Sequence, residues 1–306
     1  MPPAMKDVHA MAPDRGRLTL RSVGVSGIRK PLSVQRRDRV HTLAATFEVA
    51  VDLPSSRKGS DLSRNAEVLA EIVDQTVERP VASLESACST IARELLVRHA
   101  YATEATVTAS AEYFLQKGIS EEKRSFEDYL LLAEAHAQRG DGRTVNLRRA
   151  IGAEAVGMTA CPCAMETCRE QLTREYPALD DQSLATLPMI SHNQRNRTRL
   201  LFELSKDEEV EVDELIAAIE AAQSSPTYAI LKRGDEGRVV LDAHRHPKFV
   251  EDVLRDLLAA LPATFPDLPD STVVRASTVS EESIHKYNVE ASHRISFGEL
   301  RQSAGR

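Results

Sequence analysis

Apolar and polar positions along this chain change period from segment to segment, and the changes mark out its elements. Residues 21–34 (RSVGVSGIRKPLSV) and 40–53 (VHTLAATFEVAVDL) are β-branched and partly alternating, with a polar connection between them. That pattern predicts two antiparallel strands. In 66–77, Val68, Leu69, Ile72, Val73 and Val77 recur at helical spacing, and Pro80 ends the helix. A second helix is predicted over 84–98, with Ala87, Ile91, Leu95 and Leu96 inward and Ser83 as its N-cap. Strands at 104–115 and 126–137 complete an order of strand, strand, helix, helix, strand, strand.

The second half repeats the order. After a turn signal at Gly140-Asp141-Gly142, residues 145–160 read as a strand leading to Cys161. A short helix over 168–176 and a strand over 198–204 follow, then helices over 213–222 and 248–261. Pro247 takes a favourable first-turn position in the latter, whose buried stripe is Val250, Val253, Leu254 and Leu257. Strands are predicted at 272–279 and 293–300. Two ββααββ-like halves imply an α+β fold built by tandem duplication. The expected divisions are a flexible tail over 1–17, a first module over 18–140 and a second over 141–306.

Composition narrows the class. A chain of 306 residues buries a sizeable core, and 42% apolar with 28% charged residues is a globular balance. No apolar run approaches the roughly 20 residues of a membrane helix. The N-terminal stretch lacks a hydrophobic signal core, so the expected compartment is the cytoplasm. Of four cysteines, Cys161, Cys163 and Cys168 are bunched, which is not a secreted disulfide framework. With no apolar run of that length no membrane partner is expected, and a net charge of −7 argues against a general nucleic-acid binder, although local basic clusters still suit a phosphate-bearing small molecule.

The chemistry concentrates where Met158-Thr-Ala-Cys161-Pro-Cys163 is read with Ser191-His192-Asn-Gln-Arg195. Thiolate and imidazole suit zinc or ferrous iron, and a site with open coordination positions holds a reactive water. Each piece alone has an ordinary reading. Cys-Pro-Cys is weaker than paired C-x2-C spacing, and His192, flanked by polar residues, is equally a surface histidine. Glu236 sits in a charged, turn-like run, and His285 reads as an exposed loop residue. His244 and His246 are spaced to chelate but stand just before a helix start. Basic runs at Arg57-Lys58, Arg195 to Arg199 and Lys232-Arg233 are solvated faces or, converging, a polyphosphate site.

Further stretches join these in a fixed order: Val23-Gly-Val-Ser-Gly-Ile-Arg-Lys-Pro31, Arg57-Lys-Gly-Ser-Asp-Leu-Ser-Arg-Asn65, Leu231-Lys-Arg-Gly-Asp-Glu236, Pro247-Lys-Phe-Val-Glu-Asp252 and Glu282-Ser-Ile-His285. With Thr159–Cys163 and Ser191–Arg195 they resemble GTP cyclohydrolase of type IB, including its archaeal methanopterin-pathway branch, from about Val23 to Ala291. The resemblance implies tandem tunnelling-fold modules, each ββααββ with an antiparallel sheet, assembled as a homotetramer with active sites at subunit interfaces. It implies that Cys161, His192, Glu236 and His285 surround one catalytic divalent metal, Fe(II) first, with Zn(II) or Mn(II) as alternatives. Cys161 and His192 carry the catalytic role, His192 as a proton shuttle. Glu251 grips the guanine edge of GTP, and Arg195 and Lys232 bind substrate.

The implied reaction opens the guanine imidazole ring and releases formate, giving a 7,8-dihydroneopterin phosphate for pterin or folate-type cofactors. Two departures from bacterial members, a longer stretch between Cys161 and His192 and the Asp61-Leu62 pair in place of His-Met, resemble the archaeal branch. There the product is the 2',3'-cyclic phosphate, whereas the bacterial branch keeps the triphosphate. Cys163 stays open as alternate ligand, supporting thiol or packing residue. The competing classes are a tunnelling-fold enzyme acting on a pterin or deazapurine, and a non-catalytic nucleotide-binding homologue.

Overall fold

The computed structural model describes residues 7–36, 39–120, 123–141, 144–178, 184, 187–205 and 208–304. Among them are nine strands and seven helices. The chain forms two compact units that interleave in sequence. Unit one comprises Met1–Glu112, Leu131–Ile151 and Leu204–Asp207; unit two comprises Tyr113–Leu130, Gly152–Glu203 and Glu208–Arg306. The expected modules were continuous stretches meeting at residue 140, whereas each compact unit is made of three separate segments of the chain.

In unit one, β1 (Leu20–Arg36) and β2 (Arg39–Leu53) pair antiparallel, as their alternation predicts. Three steps on β1 from Val25 to Ile28 oppose two on β2 from Val49 to Phe47. Gly27 absorbs the extra residue at φ +73°, a conformation glycine adopts without steric cost. β2 then pairs with β3 (Glu104–Ser120), and β4 (Lys123–Arg139) and β5 (Val145–Ala160) continue the order. Leu43, Ala45, Phe47, Val49 and Val51 alternate inward on β2. They share a core with Val68, Leu69, Ile72 and Val73 of α1 (Leu62–Glu78) and Ile91, Leu95 and Leu96 of α2 (Leu84–Arg98). Ser83 caps α2 as expected, accepting the Ser86 N–H at 3.3 Å. Of the stretch expected to be a tail, residues 1–6 lie outside the described residues, and residues 7–17 are held at two points: Lys58 N–H donates to Met11 O (2.6 Å), and the Lys58 ammonium pairs with Asp14 (2.6 Å).

In unit two the strand order is β5, β6 (Asn193–Leu204), β8 (Val273–Glu281), β9 (Val289–Ser296), with the short β7 (Ser225–Pro226) on β5 at Gly157 and Met158. The helices are α3 (Pro162–Glu175), α4 (Val212–Ala222), α5 (Arg233–Arg245), α6 (Val250–Thr264) and α7 (Phe297–Ala304). Phe202 of β6 anchors the core, edge-on to Phe265 (5.1 Å between ring centres) and Phe297 (6.0 Å).

Two local expectations are corrected. The predicted strand at 293–300 is β9 ending at Ser296, followed by α7. Ser296 accepts the Glu299 N–H (3.3 Å) while Glu299 accepts the Ser296 N–H (2.9 Å), a reciprocal cap that starts a helix. The charged run holding Glu236 is the first turn of α5 rather than a loop. There Asp235 accepts the Lys232 N–H (3.3 Å), and the two acids suit the positive helix start. Among the described residues no helix is long and apolar enough to cross a membrane.

Candidate active site

β5 ends at Ala160, and Pro162, with φ preset for a first helical position, begins α3 at once, so Cys161 becomes the helix N-cap. The Cys161 N–H donates to the His192 carbonyl (3.1 Å), and the Ser191 hydroxyl donates to the Cys161 carbonyl (2.6 Å). These bonds tie the end of β5 to the start of β6 and set Cys161 beside His192. The stretch between them keeps a small core of its own, Met165, Leu184 and Met189 with Leu172 against them.

The His192 ring is oriented from behind. Nδ1 lies 2.9 Å from Gln194 Oε1 and 3.8 Å from Glu282 Oε2. Gln194 Nε2 donates to Thr159 Oγ1 (3.1 Å), which turns the amide oxygen toward the imidazole. The Ser280 hydroxyl holds Glu282 at 2.9 Å. Nδ1 therefore carries the hydrogen, and Nε2 presents its lone pair, the arrangement by which proteins aim a ligand histidine. Sequence reasoning passed over Gln194 and Glu282, although both lie inside the quoted motifs. The available signal was strand period: positions 192 and 194 point to one face.

The remaining expected residues stand apart. Glu236 is exposed on the first turn of α5. His285 is exposed between β8 and β9, stacked on Tyr287 with ring centres 5.0 Å apart. Among the described residues, no three of Cys161, His192, Glu236 and His285 stand within ligand-to-ligand distance. The one tight group of three among the described residues is Asp7, His9 and Asp61 in unit one, with ligand atoms within 4.8 Å. His244 and His246 do not chelate: His244 lies against Val240 O (2.8 Å) and Ser191 O (3.3 Å), and His246 Nδ1 faces Asp242 O (2.9 Å).

Of the basic run on β6, Arg197 (2.6 Å) and Arg199 converge on buried Glu154. Burial opposes the Arg197 charge, but the Glu154 hydrogen bond outweighs it and raises the guanidinium pKa. Arg195 is exposed opposite Glu281 and makes no ion pair among the described residues. Lys232 and Glu251 are likewise exposed and unpaired among them, at the starts of α5 and α6. Cys163 is exposed on α3. A thiol and an imidazole whose far nitrogen is tied back fit two positions of a divalent-metal ligand set.

The family described as type I GTP cyclohydrolase folE2 matches residues 5–291. The GTP cyclohydrolase MptA of Methanosphaera stadtmanae is 39% identical, covering 93% of this chain and 93% of its own. That of Methanosarcina mazei is 39% identical over 97% and 96%, and MptA 2 of Methanocella arvoryzae 40% over 94% and 95%. The resemblance thus falls on the archaeal methanopterin branch. Among solved structures, a uricase from Bacillus fastidious superposes with a TM-score of 0.51 at 11% identity, over 93% of this chain and 96% of that one. Uricase from Arthrobacter globiformis gives 0.53 at 9%, over 90% and 93%. At such identities the likeness is of fold alone, the tunnelling fold. The chain belongs to the type I GTP cyclohydrolase folE2 family.

Proposed function

We propose that this GTP cyclohydrolase carries out its chemistry at the Cys161–His192 end of unit two, with the help of one divalent metal. As a member of its family the chain acts on GTP for pterin cofactor biosynthesis, and that family is metal-dependent in general. The observation that carries the siting is the tie from Cys161 N–H to His192 O, together with the Gln194–Glu282 backing of the imidazole. Cys161 Sγ and His192 Nε2 would hold the ion; Glu236 and His285, both solvent-exposed, would complete the set in a homotetramer. Fe(II) is the first candidate, with Zn(II) and Mn(II) behind it. When bound, such an ion supplies a water of near-neutral pKa.

The protein's own groups do the rest. Gln194 keeps the His192 hydrogen on Nδ1, so Nε2 faces the reacting side. Glu251, a carboxylate, accepts from the adjacent N–H donors of guanine, and Arg195 and Lys232 meet the phosphate chain. Hydrolysis at C8 takes up two waters, opens the imidazole ring and releases formate, leaving a diaminopyrimidine. Its ribose then opens, rearranges and closes onto the freed amine with loss of one water, giving in the cytoplasm a 7,8-dihydroneopterin triphosphate, or the 2',3'-cyclic phosphate with pyrophosphate as the leaving group. Metal-stripped protein incubated with GTP and each of Fe(II), Mn(II) and Zn(II) tests this. Formate released only with metal supports the reading, and the mass of the pterin selects the product. GTP bound without formate under every metal overturns it.

A further inference from the structure

In unit two a cavity of about 470 Å³ is lined by Glu220, Gln223, Ser224, Pro226, His246 and Lys248. One wall residue is bonded next to the candidate active site. Lys248 N–H donates to Ala160 O (3.1 Å), next to Cys161, and β7, which carries Pro226, pairs with β5 at Gly157. Two residues of its wall, Pro226 and Lys248, are thus bonded to β5 at Gly157 and Ala160, three residue steps or about 10 Å of strand apart.

Most of its polar wall is already satisfied. Glu220 accepts from Tyr129 Oη (2.5 Å) and pairs with Lys117. Lys248 Nζ reaches Ala222 O (2.8 Å) and Asp256 (2.7 Å). His246 Nδ1 faces Asp242 O. Two groups differ: Gln223 Oε1 and Ser224 Oγ are buried, on residues each 5% exposed, and have no hydrogen-bond partner among the described residues. Leaving a buried polar atom unmatched costs about 1–3 kcal/mol, so a partner is missing.

A relay fixes what Gln223 offers. The Thr278 hydroxyl spends its hydrogen on Asn196 Oδ1 (2.5 Å), so it accepts from Thr198 (2.8 Å). Thr198, its hydrogen spent, accepts from Gln223 Nε2 (3.0 Å). The atom left over on Gln223 is thus an acceptor. Gly157 makes room for this side chain, since a Cβ there would fall 2.3 Å from Gln223 Cγ.

We propose that Gln223 and Ser224 form a base-reading subsite for the substrate purine, recognising the edge that carries N2–H and N3. On that edge guanine presents an amino donor next to a ring acceptor, whereas adenine has the acceptor alone. Gln223 Oε1 takes the N2–H that Glu251 leaves over, and the Ser224 hydroxyl donates to N3. The purine then lies along the β5 edge with C8 toward Cys161. This rests on the GTP reading above and adds the residues that select guanine.

The test is equilibrium binding of GTP, ITP and 3-deaza-GTP to the metal-loaded full-length protein and to Gln223→Leu and Ser224→Ala, with formate release measured in parallel. ITP lacks the amino group and 3-deaza-GTP lacks N3. Gln223→Leu is expected to bind GTP about 10- to 100-fold more weakly while ITP affinity stays unchanged. Ser224→Ala, which removes one oxygen and little packing, loses about tenfold for GTP and nothing for 3-deaza-GTP. Equal weakening for every nucleotide, or none for either variant, overturns the subsite. Failure of the unaltered protein to release formate strikes the activity reading, while the binding comparison still decides the subsite.

Discussion

Asp7, His9 and Asp61 of unit one stand closer together than any trio around Cys161 in unit two, yet chemistry ranks them the other way. The Asp61 carboxylate is already met by Arg64 (3.0 Å), His9 (3.3 Å) and Arg57 (3.4 Å). Asp7 Oδ1 accepts the N–H groups of His9 (3.0 Å) and Ala10 (3.2 Å). These charges are spent on fastening residues 7–17 to the loop before α1. In unit two Cys161 and His192 have only backbone ties between them, and a Gln–Glu pair aims the imidazole without consuming Nε2. Closeness of donors thus says less about a metal site than whether their lone pairs remain uncommitted.

The largest expected effect comes from removing the thiol. Cys161→Ala and Glu236→Ala should each lower formate release from GTP by about 10²–10³-fold or more. Near-normal turnover in both would remove the ligand assignment. Next, Glu282→Ala leaves every proposed ligand in place but loosens the support of His192. Metal titration should show affinity weakened about 10- to 100-fold, and an unchanged titration would make Glu282 a bystander.

A smaller, pH-dependent effect separates the units. In unit one His99 is fully buried, bonded to Asn65 Oδ1 (2.6 Å) and Tyr101 Oη (2.9 Å). Burial first, and the Arg64 charge second, lower its pKa below the ordinary 6.5. The unfolded chain then binds a proton that the folded chain refuses. Stability present above pH 6.5 is lost as pH falls from there through the folded pKa. Denaturant unfolding between pH 7.5 and 5 should show this slope, flattened in His99→Gln; an identical slope in the variant would contradict it. Smallest of all, His9→Ala should cost less than about 1 kcal/mol of stability and leave bound metal unchanged, because the His9 ring is itself exposed and Asp61 keeps its two arginine partners. Loss of metal there would return unit one to contention.

Much of the fold could be read in advance because it follows from period. Alternation located β1 and β2, and the helical stripes located α1, α2 and α6. Where capping decides, the reading fell short: α5 and α7 begin at Asp235 and Glu299 reaching back to backbone N–H groups, a signal of single residues inside charged runs. Site residues divide the same way. Cys161 and His192 stand in motifs, whereas Gln223 and Ser224 carry no local pattern. Their importance arises only when the fold brings Thr198 and Gly157 against one and opens a cavity beside both.

X-ray absorption at the zinc edge of the Zn(II)-loaded protein tests the central assignment most directly. The account predicts a shell with one sulfur at about 2.3 Å and nitrogen or oxygen at about 2.0–2.1 Å. The sulfur should vanish in Cys161→Ser and persist in Cys163→Ser. A shell of nitrogen and oxygen alone, or a sulfur that survives Cys161→Ser, would contradict it.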